Sequence, residues 1–509
     1  MKIVIVGGGT AGWLAALFIS KVKPEHEVTV IESKKIGIIG VGESSTGALV
    51  DVLTNWLWAF DCDIMEFFRE TGATLKYGIK HKGWTNQIDD FYYGPIDGTE
   101  TATAIPDGLF CKGISHHYQN IHRTTLYGNM MEKLISPISK TSNRFELNTH
   151  ALHFDTNLLG DYFKKIVCKN DKVKLIDKEI INVDLKENGF IKNITLVDGS
   201  KVSGDFFIDA SGFSRTLINK LDPTWVSYKN NLPVNSAIPF VLDYQEDETP
   251  EPWTTAWAHK AGWVWQIPLQ HRKGCGYVFS DEFTTADAAL DELQQTFNGR
   301  VEPIKLLKFE TGRLQHIWQK NCLAIGLCAG FAEPLESTSV HSTITQLLNF
   351  TFEYLGPTLE ETVNNGSINI YNQRTARMYD DFKEFLVAHY LGGRNDSEFW
   401  KYISADGTIT DFTRHIREMS KSKLPSFNDF NYYPGAAGWH LWSFVLQGTG
   451  QIKIKDPFKD LHQFVIQDCA NKEFNLFKTI NEMERDFYSY REFTNIINNP
   501  NTGYRNFGP

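Results

Sequence analysis

Three groups of residues in this 509-residue chain have types and spacings that could do chemistry. Gly7-Gly8-Gly9-Thr10-Ala11-Gly12 is a G-x-G-x-x-G turn, and Glu32 follows about twenty residues on. In such a turn Gly7 permits the tight bend, Gly9 lets the backbone approach a pyrophosphate, and Gly12 allows close helix–strand packing. Glu32 can accept from both hydroxyls of a ribose. A second group alternates Lys76, Gly78, Lys80, Lys82 and Trp84 with Leu75, Tyr77, Ile79 and His81. In an extended strand the three lysines share one face. That face suits either catalysis or solvent, and spacing alone prefers none of the three lysines. The third group, Trp263-Val264-Trp265-Gln266-Ile267-Pro268, puts two indoles on one side of a strand that Pro268 ends. By itself it reads as an aromatic core stripe. His153 and Asp155 read as a buried, hydrogen-bonded structural pair. No H-E-x-x-H or similar ligand spacing occurs, so no metal is assigned.

The elements that must carry these groups are legible around them. Lys2 to Val6 is a β-branched run typical of a buried parallel strand, Trp13 to Lys21 reads as a helix, and Val28 to Ile31 is a second strand ending at Glu32. This βαβ opening implies an α/β fold with a Rossmann-type core. The extreme N-terminal position of the turn, with a later strand breaking into Asp209-Ala210-Ser211-Gly212, favours FAD over NAD. Cys322 to Leu327 reads as a further strand and turn. Residues 221–304 alternate like strands laid over the nucleotide fold, and the pattern from about 341 onward is helical. The expected organisation is one interleaved unit. Its FAD-binding core comes from about 1–50, 150–220 and 305–355, a β-rich substrate side from 51–149 and 221–304, and a mostly helical region from 356–509.

Composition narrows the partners. The chain carries 51 Lys and Arg against 61 Asp and Glu, a formal net charge of −10. That balance argues against nucleic acid or an anionic membrane surface. No apolar run reaches the roughly 18 residues of a membrane span, and the first apolar stretch runs into glycines with no cleavage pattern. The seven cysteines are scattered without a C-x-x-C pair, as expected of a reducing, cytoplasmic setting.

W-x-W-x-I-P also resembles the motif of flavin-dependent halogenases, and strings along nearly the whole chain are similar to the tryptophan halogenase family. They are Gly7 to Trp13, Gly40-Val41-Gly42-Glu43, Ile79-Lys80 with Trp84, His153-Phe154-Asp155, Phe207 to Gly212, Gly276 to Ser280, Glu333-Pro334-Leu335-Glu336-Ser337-Thr338, and Ala388-His389-Tyr390. The resemblance implies an FAD-binding core of the flavin monooxygenase class. It also implies a reaction in which reduced FAD from a separate NAD(P)H flavin reductase, O2 and a halide ion yield hypohalous acid. The acid then passes internally to a lysine beside a small aromatic substrate.

By the same resemblance Lys80 is the catalytic lysine. Glu336 stabilises the cationic ring and takes its proton, and Ser337 connects Glu336 towards the flavin side. Thr338 and Ser339 bind halide through backbone N–H groups, and Trp263 and Trp265 shield the flavin from substrate. The FAD contacts extend to Gly40, Val41, Gly42, Glu43 and Ser44 as a strap, with Leu327, Val340 and Val183.

Two departures from the family pattern bear on specificity. Ser339 stands where the family has glycine, which places a Cβ in the anion pocket; bromide or iodide over chloride is the expectation. Tyr432-Tyr433 is followed by the small, glycine-rich Pro434-Gly435-Ala436-Ala437-Gly438, so the expected substrate is an indole, phenol or other electron-rich arene, not free tryptophan. Self-association into a homo-oligomer is open on this sequence. The alternative functions are a flavin monooxygenase that hydroxylates its arene and a non-enzymatic flavin-binding protein, neither of which needs the lysine–glutamate pair.

Overall fold

The computed structural model describes residues 1–37, 43–54, 63–96, 110–113, 121–147, 150–430, 437–454 and 463–497. Gly40, Val41 and Gly42 of the strap, and Tyr432 to Ala436, lie outside the described residues.

Two sheets organise the chain. The first has six strands in the order Trp318–Gln319, Cys322–Ala324, Phe206–Asp209, Lys2–Val6, Glu27–Glu32, Val173–Asp177. All neighbours are parallel except the Trp318–Gln319 edge. Ile3, Val4, Ile5 and Val6 are all buried, as strands covered on both faces require. Helix Thr10–Val22 covers the sheet with nine consecutive buried residues, Gly12 to Ser20. The register Val6↔Asp209 and Val6↔Ile31 brings the carboxyl ends of three strands to one edge, where open α/β sheets bind ligands.

The second sheet has seven strands: Leu307–Lys308, Ser236–Leu242, Lys273–Phe279, Gly262–Pro268, Trp253–His259, Gly78–Lys82 and Phe91–Pro95. Segments far apart in sequence meet in it, because Gly78–Lys82 pairs parallel to Trp253–His259. A small antiparallel sheet, Glu43–Ser44, Ala151–Phe154 and Thr74–Lys76, lies between these two systems. From Leu359 onward all described elements but Phe487–Ser489 are helical, led by Asn365–His389 and Gln463–Asp486. The architecture is mixed α/β around a Rossmann core, as the βαβ opening implies.

Candidate active site

The glycine turn is locked by contacts that tolerate no side chain. Gly7 has φ +119°, and a Cβ there would lie 2.2 Å from the Ala210 carbonyl oxygen. A Cβ on Gly12 would lie 1.9 Å from the Gly7 carbonyl oxygen. Gly9 is the N-cap of helix Thr10–Val22 and is extended, so the positive end of the helix dipole lies at this edge, where it favours an anion. Thr10 and Ala11 form its first turn. Gly326, at φ +60°, abuts Ala11 and carries Leu327 to the same edge. Asp209 serves its own turn. Its carboxylate accepts from the Leu217, Ile218 and Ser211 amides and so shapes the Asp209–Gly212 turn. Glu32 pairs with Lys164, and its carbonyl accepts from the Lys178 amide at 2.9 Å, just before the Ile180–Leu185 strand that carries buried Val183. These residues fit a dinucleotide such as FAD: a helix N-terminus at the strand edge, a turn that a Cβ would fill, and a carboxylate at the second strand's end.

The lysines do not share a face. Thr74–Lys76 belongs to the small sheet and Gly78–Lys82 to the seven-stranded one, and the chain breaks between them at Tyr77. Tyr77 is buried, with its amide bonded to the Pro252 carbonyl and its hydroxyl to the Ile135 carbonyl. Alternation therefore restarts at Gly78. Lys80 and Lys82 point to an aromatic outer face: Lys80 Nζ lies 4.3 Å from the Phe91 ring centre and Lys82 Nζ 3.9 Å from that of Trp257. Burial lowers the Lys80 pKa, with the Glu251 carboxylate opposing that shift. Lys76 turns inward, 2% exposed, and donates to Ser337 Oγ at 2.9 Å and to the Ser45 carbonyl at 3.1 Å. Desolvation lowers its pKa to about 8, with the Glu336 carboxylate acting in the opposite direction. The structure thus differs from the sequence expectation: Lys76, and not Lys80, hydrogen-bonds Ser337, the residue next to Glu336.

Glu336 ends the turn Pro334–Glu336, and Ser337 follows in the left-handed region at φ 57°. This strained residue is the N-cap of helix Thr338–Asn349, yet its hydroxyl does not cap it. The hydroxyl instead takes the Lys76 hydrogen bond and bonds Ser44 Oγ at 2.9 Å. Thr254 Oγ1 lies 3.2 Å from Ser44 Oγ and 2.9 Å from His153 Nε2, and His153 Nδ1 lies 3.1 Å from Thr74 Oγ1. A hydroxyl network therefore links the described end of the strap to the lysine. His153 is buried within it, while Asp155 caps helix Thr156–Val167 and pairs with Arg272. The two do not bond one another among the described contacts, and each has a structural part.

Among the described residues no side chain caps the helix N-terminus at Thr338 and Ser339, and such an end favours an anion. Ser339 keeps a negative φ, so no glycine is required there. Val340 is buried one residue further on.

Two histidines from distant segments close on Glu336. His389 Nε2 lies 2.8 Å from Glu336 Oε1, and its Nδ1 lies 2.9 Å from the Phe385 carbonyl. That carbonyl only accepts, so Nδ1 carries hydrogen and Nε2 is turned to Glu336. His81 Nε2 lies 3.4 Å from the same oxygen. Both rings are 0% exposed. Burial raises the Glu336 pKa, but the two histidines outweigh it and hold the carboxyl at about 2. Burial also keeps His81 neutral, with a pKa of about 4. His81 was invisible as a site residue because neither spacing nor motif links position 81 to 336.

Trp263 and Trp265 stand side by side, ring centres 6.5 Å apart, at 1% and 8% exposure. Trp263 Nε1 donates to Glu333 at 3.1 Å, and Tyr390 Oη donates to the same oxygen at 2.8 Å. Glu333 is thereby occupied in holding the indole, whereas Glu336 meets His389 and His81. Burial pushes the Glu333 carboxyl up to about 7. The cavity beside His81 has a volume of about 620 Å3 and opens past Tyr92, His122, Gly392 and Gln447.

The profile of the family described as tryptophan halogenase matches residues 2–455. Tryptophan 6-halogenase SttH of Streptomyces toxytricini is 31% identical over 489 residues, covering 89% of this chain and 90% of that protein. Its crystal structure superposes with a TM-score of 0.85 over 97% of this chain and 98% of that one. Xcc4156, a flavin-dependent halogenase from Xanthomonas campestris, is 27% identical with a TM-score of 0.84 over 97% of each chain. A nucleotide turn, a buried lysine hydrogen-bonded beside a carboxylate, and relatives matched over nearly the whole length lead to one conclusion: the chain belongs to the tryptophan halogenase family of flavin-dependent halogenases, enzymes that halogenate aromatic substrates.

Proposed function

We propose that this enzyme uses reduced FAD from a separate NAD(P)H flavin reductase, with O2 and halide, to halogenate an electron-rich arene of the indole or phenol type at Lys76 and Glu336. When bound, FAD supplies the redox chemistry that turns halide and O2 into hypohalous acid. Gly7, Gly9, Thr10, Ala11, Gly12, Glu32, Ser44, Val183, Leu327 and Val340 would hold it, and the helix N-terminus at Thr338 and Ser339 would hold the halide. The observation that carries the reading is the hydrogen bond from Lys76 to Ser337, next to Glu336.

An ammonium has three hydrogens. Lys76 gives two to Ser337 and Ser45 and keeps one for the oxygen of hypohalous acid, which makes the halogen more electrophilic. The ring carbon bonds the halogen as the halogen–oxygen bond breaks. Glu336 stabilises the cationic ring electrostatically and takes the proton from the same carbon. That proton and the released hydroxide make water. Trp263, held by Glu333, keeps the arene from the flavin side.

The glycine-rich sequence after Tyr433 supports an arene other than free tryptophan, and the Ser339 side chain beside the halide site supports bromide or iodide over chloride. The test combines FAD, a reductase, NADH, O2 and bromide with an indole and phenol panel, read by product mass. Bromine incorporation is expected. Added oxygen in its place identifies a hydroxylase, and no product from any arene removes the enzymatic reading. Equimolar chloride and bromide giving mainly chlorinated product refutes the halide preference.

A further inference from the structure

His81, Glu336 and His389 come from a strand, a short turn and a helix end, with His389 53 residues from Glu336 and His81 far earlier in the chain, yet their ligand atoms all lie within 4.8 Å of one another. The two contacts to Glu336 Oε1, at 2.8 and 3.4 Å, bracket the roughly 3.3 Å between neighbouring ligands of a tetrahedral ion with bonds of about 2.0 Å. His389 already has the arrangement of a metal-binding imidazole: Nδ1–H donates to the Phe385 backbone carbonyl and turns Nε2 into the site.

His81 supplies the independent observation. It is fully buried; among the described residues neither ring nitrogen makes a full hydrogen bond, and Nε2 has only the long 3.4 Å contact to Glu336. Buried polar nitrogens are rarely left so. The ring is held between Tyr92, stacked at 4.6 Å, and the tilted His389 ring at 4.9 Å, so its Nε2 is fixed towards Glu336. The His81 wall also borders the open cavity, which provides an entry path. Lys76 is the cation that acts on the cluster among the described residues and opposes a dication there, while the Glu336 charge offsets it.

We propose that His81, Glu336 and His389 form a three-ligand site for a divalent transition metal of zinc-like chemistry, with a fourth position open, and that occupancy inhibits the enzyme by engaging Glu336. The inhibitory half rests on the proposed role of Glu336; the metal site itself does not.

The test is binding of the metals alone to the full chain. Equilibrium dialysis against Zn2+ and the visible absorption of Co2+ are read for the wild type, His81→Phe and His389→Gln, with far-ultraviolet circular dichroism and FAD binding as checks of folding. The wild type is expected to take up one chelator-removable Zn2+, to give the intense visible bands of four-coordinate Co2+, and to lose bromination as zinc is added. Each variant should bind at least tenfold more weakly and lose those bands. Zinc uptake unchanged in both folded variants, or no uptake by the wild type, overturns the site. If one variant misfolds, the other decides. Metal bound at these residues with bromination undiminished overturns the inhibition. A protein that binds zinc here yet halogenates no arene refutes the role of Glu336 and leaves the metal site standing.

Discussion

Lys76 Nζ lies 2.9 Å from Ser337 Oγ, across 261 residues of sequence, and this contact joins the lysine to the Glu336 turn. Lys80, four residues on, lies over the Phe91 ring on the opposite face of its strand. Lys76→Ala is expected to lower bromination by about 10²- to 10⁴-fold with FAD binding retained. Lys80→Ala should leave most of the activity. The same assay run on both proteins checks this, and the reverse ranking refutes the assignment.

Glu336→Gln keeps a hydrogen-bonding partner for His389 but removes the base. The loss should appear in kcat, by about 10²- to 10⁴-fold, with KM little changed. Because the Glu336 carboxyl is held at about 2, it stays ionised through the working range. An acid limb in the kcat profile between pH 5 and 7 therefore should not come from this group, and replacing it should not move that limb.

Acid stability follows from buried histidines. His81 and His150 have folded pKa values of about 4 and about 3, and His153 lies well below its usual 6.5, all through burial. In each case the unfolded chain binds a proton near pH 6.5 that the folded protein refuses. Their stabilisation is full above that pH and is lost as pH falls, at about 1.4 kcal/mol per group per pH unit below about 6.5. Glu333, raised to about 7, runs the other way: its contribution is present below pH 4.5 and is lost as pH rises through 7. Three groups outweigh one, so urea midpoints should fall between pH 7 and 5. His150→Phe, which replaces a ring stacked on Phe145, should make that dependence shallower.

At the nucleotide turn, Gly12→Ala drives a methyl group into the Gly7 carbonyl oxygen, which a Cβ would approach at 1.9 Å. Relief requires the turn to open, at a cost of about 1–3 kcal/mol. FAD titrations should show a Kd raised at least tenfold, with a lower Tm.

Local chemistry made part of this legible before any fold was known. A β-branched strand running into glycines, a helix and an acid at the next strand's end specify a nucleotide turn by themselves, because every requirement lies within about thirty residues. The strings W-x-W-x-I-P and E-P-L-E-S-T likewise carried the family resemblance. Which lysine reaches the Glu336 turn was not available in this way. Period-two alternation holds only within one strand, and Tyr77, buried between two sheets, ends one strand and starts another, so Lys76 and Lys80 face opposite surroundings. The histidines at 81 and 389 reach Glu336 only because the seven-stranded sheet and the 25-residue helix Asn365–His389 end against the same turn. Proximity across hundreds of residues is set by packing, and no spacing rule encodes it.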